Sequence, residues 1–230
     1  NEIRKLHLAS YAPLRYVLPH KQADYDKKYS TVIRNGASVF RQIDREESLI
    51  QLIRVNLLKR MESAVPSFAL TVKRQLDDVY ATLAKIEAHT ESIEETDIGE
   101  VDIEDATYES LLVGRKVKVL VQDVDLIRWR QDLTEDQNIL ERLYAEAHQV
   151  GPSRDAKLAK LREIIIQKVK KPINPSNFKV IVFTAFADTA EYLYQELAPW
   201  ALSELKLHVA LVTGSGGNQT TLPNLPKDLS

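Results

Sequence analysis

The sequence predicts a mainly α-helical fold with a small α/β part: a bundle of long helices followed by a partial parallel β-sheet. Three observations predict it. Only 7 of the 230 residues are glycine, which disfavours a turn-rich all-β domain. Long stretches of the first half repeat apolar residues at helical spacing. Beyond residue 172, that spacing gives way to two short apolar runs with a helical pattern between them.

The long helical pattern lies in residues 1–90, where we predict a helical region with a long helical hairpin. Its second helix carries a core-facing stripe over about six turns at 3.6 residues per turn. The stripe consists of Val65, Phe68, Val72, Leu76, Val79, Leu83 and Ile86. The first helix, from Glu46 to Met61, carries a stripe of Leu49, Ile53, Leu57 and Met61, widened by Ile50 and Leu58. A break between Ser63 and Pro66 separates the two helices.

Residues 91–110, "ESIEETDIGEVDIEDATYES", hold nine acidic residues and no basic one. Outside this stretch 31 basic residues stand against 24 acidic ones, although the whole chain has a net charge of −2. The stretch is typical of a solvated linker, because its composition buries too little apolar surface to offset ordering. We predict an acidic flexible connector, mobile at least from Glu94 to Glu104. The alternative is an acidic mimic that occupies a basic groove.

Residues 111–172 predict a helical region that leads into the α/β part. "RKVKVLVQDVDLIRWRQDL" fits a strand or a helix, whereas "TEDQNILERLYAEAHQV" is a helix that ends at Gly151-Pro152. Ser153 is predicted to cap the next helix, "RDAKLAKLREIIIQKVKK", with Asp155 in its first turn.

In residues 173–230, a strand, a helix and a strand are predicted after a proline-containing linker. "FKVIVFTA" and "LHVALVTG" are typical of buried strands, and Asp188-x-x-Glu191 is a helix start of the capping-box type. Such a unit implies a parallel strand pair with a right-handed crossover. Both strands end in threonine, Thr184 and Thr213, so their loops would share one sheet edge and bind phosphate there. The alternative is that both threonines only terminate strands.

"KVIVFTAFADTAEYLYQEL" followed by "HVALVTGSGGNQTTL" resembles the opening of the second RecA-like lobe of superfamily-two helicases, including their motif IV. The branch it resembles is the bacterial Swi/Snf-type DNA-translocating ATPases. "LLKRMESAVPSFALTVKRQL" is similar to their inter-lobe helices, and "RDAKLAKLREIII" to the helix entering the second lobe. The resemblance covers residues 45–90 and 120–222. It implies a partial RecA-like C-terminal helicase lobe at 173–230, a parent protein that uses ATP and Mg²⁺, and duplex DNA as partner.

The chain departs from that family in the motifs of catalysis. It has no G-x-x-x-x-G-K-[ST] phosphate loop, no magnesium-binding Asp-Glu pair after a strand, and no arginine-rich motif VI. The expectation is therefore a helicase fragment that is inactive alone and works with the remaining lobes of its parent chain. The first residue, Asn1, agrees with a processed or excised piece. The alternative is a non-enzymatic helical interaction domain with a small α/β appendage.

No catalytic, cofactor-binding or metal-binding residue is predicted in this chain, which lacks cysteine and spaced histidine pairs. Each basic cluster alone is typical of a solvated face, but together with the resemblance they predict contacts to a DNA backbone. The residues expected to face DNA or the other lobe are Thr184, Phe186, Thr213, Gly214, Arg54, Lys59, Arg60, Arg115, Lys116 and Lys118.

Three further expectations concern the environment of the chain. Trp129, between Arg128 and Arg130, is predicted to be a core residue rather than a platform for base stacking. The strand at 207–213 is expected to leave a free sheet edge through which the chain self-associates. No run of about 18 apolar residues and no signal peptide occurs, so we expect no membrane partner and a cytoplasmic location. The resemblance implies that this location is bacterial.

Overall fold

The computed structural model describes residues 2–29, 31–32, 39–40, 42–88, 91–94, 117–214 and 217–223. These residues divide into two compact units. The first consists of residues 1–59 and 70–145, and the second of residues 60–69 and 146–230. The described residues are mainly helical, with small two-stranded sheets.

The α-helices are α1 (Gln22–Tyr29), α2 (Gln42–Ser63), α3 (Val65–Glu87), α4 (Leu126–His148), α5 (Ala156–Lys170) and α6 (Ala187–Trp200). Short 3-10 turns lie at Glu2–Lys5, Ala9–Tyr11, Pro13–Tyr16, Val121–Asp123 and Pro152–Arg154, and a π-helical turn, Ala201–Leu205, continues α6.

The strands are β1 (Thr31–Val32), β2 (Val39–Phe40), β3 (Ser92–Glu94), β4 (Lys118–Leu120), β5 (Ala210–Leu211) and β6 (Gln219–Thr220). They form three antiparallel pairs, β1 with β2, β3 with β4 and β5 with β6. In the second pair Ile93 lies opposite Val119, and both are buried.

The predicted helix pair is confirmed, and the break between its helices falls at Ala64. The stripe on α3 is largely buried, as Phe68, Val72, Leu76 and Val79 show. On α2 the expectation was wrong at one position, because Met61 is 41% exposed. The buried residue of that turn is Arg60, three residues after Leu57.

The first unit buries an irregular N-terminal segment among its helices. Residues 8–14 of this segment are all buried. Asp136 of α4 accepts the backbone N–H groups of His7 (2.6 Å) and Ala9 (2.9 Å) on its two carboxylate oxygens. These bonds flank Leu8, whose φ of 53° places it in the left-handed region. Side-chain acceptors thus replace the ladder that regular structure would supply.

Trp129 is fully buried, so the prediction that it is a core residue is confirmed. Its indole Nε1–H donates to the carbonyl of Ala9 at 3.0 Å. Its ring stacks on Tyr16 with 5.4 Å between centroids, and the Tyr16 hydroxyl donates to Asp132. The polar edge of each aromatic ring therefore has a partner, as burial requires.

The hairpin β3–β4 is held along one edge by tyrosines of α1. The Tyr29 hydroxyl lies 3.0 Å from the Lys118 nitrogen and donates to the Lys118 carbonyl at 2.9 Å. The Tyr25 hydroxyl accepts the N–H of Leu120 and donates to Asp123. Ser92–Glu94 thus belongs to a strand pair, although we predicted it as part of the acidic connector. Residues 95–110 of the predicted connector lie outside the described residues.

The second unit departs from the predicted strand–helix–strand pattern. Residues 178–184 belong to no sheet of the described chain, and 178–183 are exposed rather than buried, while Thr184 is half-buried. The second predicted strand is reduced to Ala210–Leu211, which pairs antiparallel with Gln219–Thr220. The predicted parallel pair does not form among the described residues. A strand is stable only with a partner, and the chain that follows Thr213 turns back to supply one for β5 but none for 178–184.

Two predicted helix caps are also different. Asp155, not Ser153, caps α5, because its Oδ1 accepts the N–H groups of Lys157 and Leu158. Ser153 lies in the preceding 3-10 turn. Asp188 does not cap α6, whose N-cap residue is Phe186. Its carboxylate bonds Arg60 instead.

None of the described helices combines the length and the apolar character needed to cross a membrane.

Candidate functional site: segment 178–186 and the start of helix α6

Segment 178–186 joins α5 to α6, and its exposure alternates along the chain. Phe178, Val180 and Val182 are 44%, 38% and 44% exposed, so one side of the segment is partly covered. Ile181 and Phe183, on the other side, are 76% and 90% exposed. Alternation with a period of two is the side-chain geometry of a β-strand. We call the side formed by Lys179, Ile181 and Phe183 the open face.

The backbone of residues 178–184 pairs with no other described strand. Its local hydrogen bonds come from side chains, since the Lys179 N–H donates to the Asn177 Oδ1 and the Phe186 N–H donates to the Thr184 Oγ1. The segment therefore combines the side-chain pattern of a strand with free edges. Such edges pair readily with another strand.

Three residues fix the end of the segment. Arg60, at the end of α2, is 5% exposed, and its Nη1 donates to the Asp188 Oδ2 at 2.7 Å. Its guanidinium also lies 4.7 Å from the centre of the Phe186 ring, at the distance of a cation–π contact. We call Arg60, Phe186 and Asp188 the clasp.

A chain of hydroxyl groups lies beside the clasp. The Thr189 Oγ1 lies 3.0 Å from the Ser63 Oγ and donates to the Ser67 Oγ at 3.0 Å. Ser67 and Thr189 are buried, and they belong to the first turns of α3 and α6. The break between α2 and α3 is thus bonded to the start of α6 from both of its sides.

Helix α6 also packs on α5. Leu158, Ile165 and Leu197 form the centre of this contact. The Tyr192 hydroxyl donates to the Asp155 Oδ2 at 2.9 Å, while the Asp155 Oδ1 caps α5. Burial and the neighbouring Asp155 carboxylate raise the pKa of Tyr192, so this hydroxyl stays a proton donor at neutral pH. The start of α6 has a defined place in the second unit.

The second predicted loop, after Thr213, has a different geometry from the first. The Thr213 N–H donates to the Asn218 Oδ1 at 3.1 Å, and Gly214 is exposed with open space around it. No strand ladder joins Thr184 to Thr213 in the described chain, so the shared sheet edge that we predicted is not formed. Residues 215 and 216 of this loop lie outside the described residues.

The predicted basic residues have unlike surroundings. Lys59 is exposed, whereas Arg60 is buried in the clasp. Arg54 is half-buried and donates to the Leu6 carbonyl at 2.6 Å, and burial lowers its pKa. Lys118 is exposed and lies 3.4 Å from Glu94. Arg115 and Lys116 lie outside the described residues.

Sequence reasoning missed the roles of Asp188, Thr189 and Ser67. A signal was present for Arg60, which lies three residues after Leu57 and seven after Ile53, in line with the apolar stripe of α2. An arginine on a buried stripe needs a carboxylate partner. The sequence did not indicate which carboxylate, because Asp188 lies 128 residues away.

A scan against protein-family models, a search of curated proteins and a search of solved structures each found no match to this chain.

Proposed function

We propose that this chain is part of an ATP-dependent DNA helicase or translocase, to which it contributes inter-lobe helices and the motif IV part of the second lobe. The chain is inactive alone in this proposal. ATP and Mg²⁺ bind elsewhere in the parent protein, and the remaining lobes of that protein are its first partners.

The observation that carries the proposal is the composition of the second unit. Three separate stretches carry the resemblance to the helicases: the break between the inter-lobe helices, the helix that enters the second lobe, and the motif IV stretch. All three contribute to one compact unit, formed by residues 60–69 and 146–230. The clasp and the Ser63–Thr189–Ser67 hydroxyl groups bond the first stretch to the third.

The open face gives further support. Residues 178–183 have the alternation of a strand and carry large apolar side chains on the side that is exposed. Apolar side chains on both sides are typical of a strand that is covered by helices in a parallel sheet. In the proposal, the edges and the open face of this segment are covered by other parts of the second lobe.

Contacts to duplex DNA are assigned to the exposed basic residues. Among the predicted contact residues that the structure describes, Lys59 and Lys118 are exposed, and the proposal adds Arg115 and Lys116 from the sequence. The contact is to phosphates, so it needs charge but no reading of bases. Arg60 is engaged in the clasp, and we no longer assign it to DNA.

The proposal is tested by comparing ATP turnover of the 230-residue chain and of the longer protein that contains it, with duplex DNA and Mg²⁺. We expect no turnover above background from the short chain, because the phosphate loop, the metal-binding acids and the arginine finger are missing from it. The longer protein should show DNA-stimulated turnover. Turnover by the short chain, or a longer protein that stays inactive with every duplex tested, contradicts the proposal.

Binding of DNA by the short chain gives a second readout. Raising the salt from about 50 to 200 mM should weaken it steeply, because each contacted phosphate releases a counterion. Replacing Arg115, Lys116 and Lys118 with alanine should flatten this dependence, while the matched replacement of the exposed Lys160, Lys170 and Lys171 should leave it unchanged. Equal slopes for the two triple variants would remove the DNA assignment of this cluster.

The alternative function is a helical protein-interaction domain without enzymatic activity. The open face favours it as well, since an extended segment with free edges is a site for addition of a strand from a partner. A longer protein without ATP turnover, combined with a partner chain that protects the amides of 178–184 from exchange, would decide for this alternative.

A further inference from the structure

Burial of the Arg60 side chain in the clasp is energetically unfavourable by itself. Arg60 lies on the buried stripe of α2 and is 5% exposed. Burial of a guanidinium is unfavourable unless its charge is paired and its N–H groups are bonded. The chain thus holds a charge in a position that an apolar residue would fill without this cost.

The clasp places its partners on both sides of one residue. Phe186 and Asp188 flank Ala187, which is the first residue of α6. The Arg60 guanidinium lies over the ring of the first and donates a hydrogen bond to the carboxylate of the second. The Asp188 carboxylate also lies in the first turn of α6, where the helix dipole favours negative charge. A single side chain therefore fixes the point at which the extended segment becomes a helix.

The clasp also acts on the residues that precede α6. The Phe186 N–H donates to the Thr184 Oγ1 at 3.3 Å, so fixing Phe186 orients the turn that contains Thr184. Ile181 and Phe183 lie just before Thr184 in the same segment, which has no strand partner in the described chain. The clasp is the attachment of the segment at its α6 end.

We propose that Arg60 is a positioning residue, and that its directional bonds to Phe186 and Asp188 hold segment 178–186 so that Thr184 and the open face are presented in one orientation. The use of this orientation in a translocase rests on the proposed function. The positioning itself does not, because it concerns only contacts within the second unit. Replacing a whole buried ion pair with apolar side chains is often neutral for stability, whereas removing one partner is strongly destabilising.

Amide hydrogen exchange of the whole chain, without ATP or DNA, tests the positioning. In Arg60→Gln, which leaves Asp188 without its cation, amides of 184–190 should exchange on the order of a hundredfold faster. Amides in residues 70–86 should be unchanged. The matched control is Lys59→Gln, which removes the neighbouring exposed cation and should leave both regions unchanged. Unchanged exchange of 184–190 in Arg60→Gln overturns the proposal.

A second pair of variants separates positioning from simple stabilisation and covers the case in which Arg60→Gln does not fold. The double variant Arg60→Met/Asp188→Leu replaces the ion pair with apolar side chains. We expect its thermal midpoint to match the wild type, while amides of 184–190 still exchange about tenfold faster because the directional bonds are lost. Full protection of those amides in this variant would show that any well-packed pair suffices, and would overturn the proposal. The conservative variant Arg60→Lys, which keeps the charge but loses the planar guanidinium group, should show intermediate exchange.

Failure of the clasp and failure of the helicase proposal give different results. Exchange is measured on the 230-residue chain alone, so an inactive longer protein does not alter it. Conversely, the longer protein could show DNA-stimulated turnover while exchange in Arg60→Gln stays unchanged. That result would support the proposed function and overturn the positioning role of Arg60.

Discussion

Two segments of the molecule without α-helix or strand, one in each unit, differ in the burial of their backbone and apolar side chains. Residues 8–14 in the first unit contain no α-helix or strand, yet all of them are buried. Residues 178–183 in the second unit have the composition of a buried strand, yet they are exposed. Apolar content alone therefore does not decide burial.

The two segments differ in whether side chains supply hydrogen-bond partners for their backbone N–H and C=O groups. In the N-terminal segment, Asp136 accepts two backbone N–H groups, Glu46 accepts that of Leu14 at 3.2 Å, and Trp129 donates to the Ala9 carbonyl. Each bond removes the penalty of burying a polar group. Segment 178–184 has no comparable set of side-chain partners, and its strand edges are unpaired in the described chain. Burying it alone would cost more than its apolar surface returns.

The largest expected loss of stability comes from truncating Trp129, the aromatic residue that is bonded to the N-terminal segment. Trp129→Ala should lower the free energy of unfolding by about 3–5 kcal/mol, because it leaves a large cavity and the Ala9 carbonyl unpaired. The check is urea unfolding followed by circular dichroism. Phe183→Ala truncates an exposed ring in segment 178–186 and is the matched control. An equal loss in the free energy of unfolding for this variant would contradict the contrast between the two segments.

Removing the side-chain acceptor that bonds the N-terminal segment should have the next largest effect on stability. Asp136→Ala leaves the N–H groups of His7 and Ala9 without their acceptor, so we expect a loss of about 2–4 kcal/mol in the free energy of unfolding. Asp77→Ala serves as control, because Asp77 is an exposed residue that forms an ion pair with Lys73 on the same helix. Its cost should be below about 1 kcal/mol. Equal losses for the two variants would show that the Asp136 bonds do not hold the segment.

The pH dependence of stability gives a third test. Burial raises the pKa of Asp136 to about 6, and this outweighs the lowering effect of the bonds from Ala9 and His7. Between the unfolded value of 3.8 and about 6, the folded state binds more protons than the unfolded state. The contribution of Asp136 to stability is therefore full at low pH and is lost as the pH rises from about 4 to 6.

Unfolding of Asp136→Asn across that range provides the measurement. Asparagine does not titrate, so the stability difference between the variant and the wild type should move in favour of the variant as the pH rises, by about 1–3 kcal/mol. A difference that stays constant from pH 4 to 6 would contradict the raised pKa.

The smallest expected effect concerns the open face. Phe183→Ser should change the free energy of unfolding by less than about 0.5 kcal/mol, because the side chain is already 90% exposed. It should reduce self-association at high concentration, measured by light scattering, since large exposed apolar side chains favour association. The control is Tyr80→Ser, which changes an exposed ring that is bonded to Glu141. A loss of more than about 1 kcal/mol in Phe183→Ser would mean that the ring is packed in solution.

The prediction of self-association through 207–213 is altered by this comparison, although it stays untested. β5 already has one partner, β6, and the Thr221 N–H donates to the Val209 carbonyl. β6 occupies only one edge of β5, and segment 178–184 adds further edges that no strand of the described chain pairs. Sequence reasoning did not predict β6, because residues 219–220 are polar and gave no strand signal.

The candidate site could be predicted from the sequence only in part. The helix start near Asp188 and the apolar run before it were visible, since period and composition are local properties. The partners of Asp188 and Thr189 were not visible. Arg60 and Ser67 lie more than 120 residues away from them, and no local pattern encodes such a contact.

The sequence by itself determined the pair of long helices, α2 and α3. The stripes on α2 and α3, and the break between these helices at Ala64, follow from side-chain spacing and backbone preference within a few turns. Tertiary structure alone decided that Arg60 is buried and Met61 exposed, and that Asp136 holds an irregular segment. It also decided that residues 178–184 have no strand partner within the described chain. The physical reason is that a helix satisfies its own backbone hydrogen bonds, whereas a strand, a buried charge or an irregular segment depends on a partner that is distant in sequence.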